Sequence, residues 1–537
     1  MDPVLIESPT DAKSPNFNVV FNLNYGPMLK ESIDRFLSSI QTQTLDFSAF
    51  RSIFSRFLQS SADPPLEIIL FYCAINYHES LSCARSTLDR VVAIKNLLQC
   101  LAACSSSCSG LKSIALLAPA VADLYSCVLE EEKVSGKEGK KLRREIEGLI
   151  EGTLSYISIC SGKSCEFEDF GTGLLPCFLD LVRVWTVRRS GEGSGLEVFF
   201  PLVSREIRGK FKEEGCGVGY LAGVVIVEAF LLKLCLKVRA GGSSREDLQK
   251  ELRVWAVSSV TVFRNHFFFA EILLKLLLDP TLPVLALLDY KDENLIRGII
   301  YDVVILVDYS FINPGMNVDP SYDFMRCIAV RRLIVTHDAI RIAREKGDHS
   351  KAISYMSAFS TSCLPHQIIK WVATQIGTER TKKPDINTPQ VVLEWLVSLE
   401  NLTKDQWPSF FEDNTSKLCA NLMLDKSKTT SDVSVFSTIS KKSVADFFFD
   451  KGNVAEDEEM QSMDDFAFFA ACRSTNSPVN GKKRKNVGDK EETPGKFIKY
   501  KIDDSLMNGN GLSSGSEVDN PNSDGEDSNS DDEMEEN

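Results

Sequence analysis

Between Gly217 and Ile312 the chain carries three long apolar segments, Val218–Leu236, Phe267–Leu288 and Ile299–Ile312. A helix that is apolar on nearly every side has to be buried, either in a large protein core or in a bilayer. The charges inside the segments decide between these. Glu228 and Lys233 interrupt the first; Glu271, Lys275, Asp279, Pro280 and Pro283 interrupt the second. A membrane span needs about 20 consecutive apolar residues, and a charge at mid-bilayer costs roughly 3 kcal/mol or more. The stretch is therefore expected to be the buried middle of a helical protein, with no membrane as partner.

A nucleotide fold is the other candidate, because Gly217-Val-Gly-Tyr-Leu-Ala222 fits a dinucleotide fingerprint with alanine at the third position. That loop works only after an apolar strand. Here it follows Arg208-Gly-Lys-Phe-Lys-Glu-Glu214, which is polar, so it reads as a glycine-rich entry to a buried helix. Gly162-Lys163-Ser164 echoes the end of a phosphate-binding loop, but Ile157 stands where the first glycine belongs. No Gly-x-Ser-x-Gly or His-Glu-x-x-His occurs, and the five histidines are isolated. No enzyme, no cofactor and no metal is expected.

The chain around this centre reads as helix, short break, helix. Residues 1–24 form a polar arm. Leu29, Ile33, Phe36 and Ile40 recur at helical spacing after Gly26-Pro27. Further helices are predicted with Phe47–Leu58, from Pro64-Pro65 through Tyr77, from Leu88 to Cys104, and over Leu111–Leu129 with a kink at Pro119. Glu130–Arg144 reads as a solvated connection into a helix over Lys141–Ile159, and Leu174–Val187 as the next helix. Ser243 with Glu246 fits a capping box. Tyr322–Ala343 is helical; Gly347 reads as a C-cap and Asp348 as the N-cap of Ser350–Phe359. The last helices are expected after Thr388-Pro389 and over Asp405–Leu424.

Strand signals are sparse. The hairpin around Glu345–Ala352 resembles one turn of a tetratricopeptide-type pair. Over about 400 residues the alternation resembles the armadillo/HEAT class of helical repeats. This implies an all-α fold: a right-handed α-solenoid, a superhelical stack of helical hairpins, over residues 25–425.

Fifteen cysteines lie mostly among apolar residues, where a free thiol behaves as a small hydrophobe. Met1–Pro9 has neither a basic nor an apolar leader character, so a reducing compartment is expected. Cys100, Cys104 and Cys108 fall four apart on one helical face. Three thiols there could hold a metal or sense oxidation, but no Cys-x-x-Cys accompanies them, and they read as small residues at a helix contact. Arg326, Arg331, Arg332, Arg341, Arg344 and Lys346 concentrate positive charge, either as a solvated face or as a strip for an acidic peptide or RNA phosphates.

Past Leu424 the composition turns to Ser, Asp, Glu, Asn and Lys, and carries much of the net charge of −15. Such a segment buries too little apolar surface to fold alone, so residues 426–537 are expected to be a disordered acidic tail. Within it, Phe447, Phe448 and Phe449, then Phe466, Phe468 and Phe469, sit among acids and resemble docking or activation peptides. Lys482, Lys483, Arg484 and Lys485 form a compact basic cluster of the kind that a nuclear import receptor reads. Ser477 and Thr493 precede prolines, while Ser516, Ser523, Ser528 and Ser530 each have an acid three residues on, resembling casein kinase 2-type sites. The expected protein is a non-enzymatic scaffold or adaptor of the nucleus or nucleolus that binds protein partners. The alternatives are a nucleolar ribosome-biogenesis or RNA-associated factor, and a transcription or chromatin coregulator acting through the acidic-aromatic clusters.

Overall fold

A computed structural model describes residues 25–42, 47–162, 173–189, 195–213, 216–241, 244–309, 322–376, 388–402, 420–421 and 423–424. The chain divides into two units, Met1–Ser477 and Pro478–Asn537, and every described residue belongs to the first. Among the described residues the protein is all-α. One isolated antiparallel bridge joins Gly173 to Gly217.

Four helices open the fold: α1 (Tyr25–Gln41), α2 (Ser48–Ser60), α3 (Leu66–Cys83) and α4 (Thr87–Cys104). The predicted stripe of α1 faces inward, with Leu29, Ile33 and Phe36 buried. Pro65 precedes α3, and Ser86 caps α4 in a capping box with Asp89. The helix expected over Leu111–Leu129 is two helices, α5 (Gly110–Ala115) and α6 (Ala118–Glu131). Pro119 sits in the first turn of α6, where its missing N–H costs nothing, rather than kinking a helix interior. Gly110–Glu131 is long and apolar enough to cross a membrane by length and composition, and 83% of its apolar window is buried inside the protein.

The next helix, α7, runs over Gly136–Ser161 and so takes in much of the segment expected to be a solvated connection. Its charges occupy an outer face, while Leu142, Ile146, Ile150 and Ile157 point inward. Helix α8 (Phe178–Thr186) begins four residues later than predicted. Leu174 and Leu175 do not join it because their N–H groups donate elsewhere, to the Cys216 carbonyl and to Glu67 Oε1, both at 2.8 Å. Two short helices follow, α9 (Leu196–Phe199) and α10 (Arg205–Gly209), then a 3-10 turn over Lys210–Lys212.

Helix α11 (Val218–Ala240) is the axis of the fold: every residue from Val218 to Leu236 is buried. After it come α12 (Arg245–Phe263), α13 (Phe267–Leu278), α14 (Tyr290–Leu306), α15 (Tyr322–Glu345), α16 (His349–Thr361), α17 (Leu364–Ile376) and α18 (Pro389–Leu402). The second apolar segment is helical only to Leu278, because Asp279-Pro280 and Pro283 stop it. The cap of α12 lies one residue beyond the prediction: Ser244 accepts from the Asp247 N–H at 3.2 Å, and Ser243 lies outside the described residues. Gly347, with φ of 76°, and Asp348, which accepts from the Lys351 N–H, form the predicted break between α15 and α16.

From α11 to α17, helices two apart in sequence touch, and α18 packs on α15. One row is α11, α13, α15, then α17 and α18; the other is α12, α14, α16. The early helices α5, α6 and α7 all pack on α11, and α7 also touches α12. Helix α11 thus joins the early helices to the late ones.

Candidate functional site

Two buried carboxylates organise the late helices, one in each row. Glu271 of α13 is 3% exposed, and its Oε1 is shared by Lys210 at 3.3 Å, Lys275 at 3.2 Å and Arg331 at 3.2 Å. These cations come from the 3-10 turn, from α13 itself and from α15. Burial alone would raise the Glu271 carboxyl; the three cations outweigh it and hold the group below its usual range. Lys275 is pushed down by its own burial against the pull of Glu271.

Asp302 of α14 does the same in the other row. It accepts from the Tyr355 hydroxyl at 2.6 Å and pairs with Lys351 at 3.3 Å and Arg253 at 3.4 Å. Those partners come from α16 and α12, so one carboxylate ties three helices of a row. Between the rows, the Tyr301 hydroxyl of α14 donates to Asp338 of α15 at 2.7 Å, and Asp338 pairs with Arg341 at 2.6 Å.

Arginines also close helix C-termini, where the last carbonyls have no partner within the helix. Arg297 donates to the carbonyls of Leu277 and Asp279 at the end of α13. Arg332 donates to those of Ile305 and Val307 at the end of α14, at 3.0 and 3.1 Å. Arg239 of α11 reaches the Val128 carbonyl of α6 and pairs with the buried Glu131, which also holds Arg143. Nothing in the local sequence marks these arginines; only their position inside apolar helices hints at buried partners.

For three residues of the basic strip the burial corrects the reading as a solvated face. Arg326, Arg331 and Arg332 are buried. Arg331 is engaged by Glu271, and Arg332 by backbone carbonyls and the Tyr309 ring. Arg341 is engaged by Asp338 and Glu345, and Arg344 meets Met356 Sδ at 3.3 Å. Arg326, Arg331 and Arg332 are thus placed inside the fold, Arg341 is half-buried, and Arg344 and Lys346 stay exposed.

The thiols are also rearranged. Cys100 and Cys104 lie in the last turns of α4, but Cys108 falls beyond its end and is buried separately. Their neighbour is Cys73 of α3, on the helix packed against α4. The Sγ atoms of Cys73, Cys100 and Cys104 lie within 4.8 Å of one another. Spacing alone could not find Cys73, because it is 27 residues from Cys100.

The remaining predicted residues lie outside the described residues: Phe447, Phe448, Phe449, Phe466, Phe468, Phe469, Ser477, Lys482, Lys483, Arg484, Lys485, Thr493, Ser516, Ser523, Ser528 and Ser530. In comparisons with family models, curated proteins and solved structures, nothing matched the chain.

Proposed function

We propose that this chain is a non-enzymatic nuclear scaffold that takes protein partners along a right-handed stack of helical hairpins and carries import and docking peptides in residues 426–537. The observation that supports it most is the contact of helices two apart, α11–α13–α15 and α12–α14–α16. Rows of this kind build an extended two-layer surface in helical-repeat proteins, where partners dock on aligned helices. The buried Glu271 and Asp302 hubs fit the same role. Their charges are matched by partners from neighbouring helices, an arrangement that fixes helix register.

Compartment and tail rest on composition. Lys482, Lys483, Arg484 and Lys485 suit an import receptor, and the phenylalanines at 447–449 and 466–469 suit a partner groove. The test is microscopy of the tagged full-length chain with those four basic residues changed to Ala. Movement from nucleus to cytoplasm is expected; unchanged nuclear retention overturns the import signal. Affinity purification from nuclei, with and without residues 440–537, is expected to return stoichiometric protein partners. If neither form does so, the scaffold reading fails.

A further inference from the structure

The three-thiol cluster between α3 and α4 is used by nothing else described above. Cys73 and Cys100 have their sulfurs 3.6 Å apart, and Cys104 completes a triangle whose atoms all lie within 4.8 Å. Cys100 and Cys104 share a helical face because they are four residues apart. Cys73 is buried beneath them, while Cys100 and Cys104 are half-buried, so one side of the triangle opens toward solvent.

Three sulfurs bound to one ion at about 2.3 Å stand about 3.8 Å apart in a tetrahedral site and about 4.0 Å apart in a trigonal one. The triangle is close to that size before any ion is present. A disulfide needs its two sulfurs at about 2.05 Å and leaves the third thiol without a role. Thiolate donors select thiophilic ions over hard ones.

We propose that Cys73, Cys100 and Cys104 bind a single thiophilic d10 ion, either Cu⁺ as a three-coordinate site or Zn²⁺ with a water in the fourth position on the solvent side. Binding replaces each S–H bond by a metal–sulfur bond and releases the protons to solvent, with no change of oxidation state. The ion would then pin the end of α4 to the middle of α3, at a distance from the Glu271 and Asp302 hubs in sequence and in partners.

The test uses the reduced, metal-free full-length protein. One arm titrates Co²⁺ as the zinc probe and follows the sulfur-to-cobalt charge-transfer absorption, with Zn²⁺ displacing it. The other titrates Cu⁺ against a chromogenic chelator. Metal content after dialysis assigns the ion. One equivalent is expected, bound more than tenfold more weakly after Cys100→Ser or Cys104→Ser and unchanged after Cys83→Ser, an exposed cysteine at the end of α3. The two half-buried positions are chosen because Cys73→Ser risks unfolding the core, and far-UV circular dichroism confirms that each variant keeps its helicity. If neither ion binds at one equivalent, or if binding survives the Cys100→Ser/Cys104→Ser double variant, the proposal is overturned.

Discussion

Gly223 of α11 lies directly against Phe268 of α13: a Cβ at position 223 would fall 2.6 Å from the Phe268 Cβ and 3.0 Å from its carbonyl carbon. The two most apolar helices therefore meet nearly backbone to backbone, and the obstacle is main chain that cannot rotate away. Gly223→Ala is expected to lower stability by about 2 kcal/mol despite its better helix propensity. Denaturant unfolding measures this. A stabilised alanine variant would show that the helices separate freely at this point.

Removing Glu271 takes away the buried carboxylate that Lys275 and Arg331, both buried, share. Breaking one partner out of a buried ion cluster costs roughly 3–5 kcal/mol. Glu271→Ala is expected in that range. Glu31→Ala, which removes an exposed i,i+4 partner of Arg35, is expected to change stability immeasurably. Equal unfolding midpoints for the two variants would contradict the hub.

Burial pushes Glu228 up to about 8, against the lowering effect of the Leu202 N–H that donates to it at 2.8 Å. The folded-state value lies above the unfolded one. The stabilisation from its bound proton is thus fully present below about pH 4.5 and is lost as pH rises to about 8. Glu228→Gln keeps an oxygen for Leu202 and removes the titration. Its stability relative to wild type should increase with pH across that window, read from unfolding midpoints at pH 5 and pH 8.

His266 has the opposite sign. Burial lowers it to about 4, while its Nε2 meets Ser161 Oγ at 2.8 Å. His78, with Nε2 donating to the Val184 carbonyl at 2.8 Å, is also lowered to about 4 by burial. Stability from both neutral rings is present above about pH 6.5 and is lost as pH falls toward about 4. A His266→Asn variant should show a shallower loss over that interval in thermal unfolding; an unchanged slope would remove His266 from the account.

Much of the helix pattern was legible because its punctuation is local. Pro65, Ser86, Gly347 and Asp348 stop or start helices through their own backbone and side-chain chemistry. The errors arose where distant groups intervened. Leu174 and Leu175 look helical until Cys216 and Glu67 take their N–H groups. Arg331 looks solvated until Glu271, 60 residues earlier in the chain, is placed beside it. The charge run before Lys141 conceals the start of α7, because a long helix can keep a polar face in water and still bury a stripe. For the thiols, helical spacing placed Cys100 and Cys104 together, but only the packing of α3 on α4 supplied Cys73.

The complete burial of α11 from Val218 to Leu236 bears on how the protein opens. Neighbours from both early and late helices cover it, so neither fraying at one end nor detachment of a peripheral helix can wet its backbone. Its amide protons should be among the last to exchange with deuterium, at the rate of whole-domain opening, while those of α1 and α18 exchange through local opening. A segment whose apolar run invites comparison with a membrane span is, by this measure, the slowest clock in the molecule.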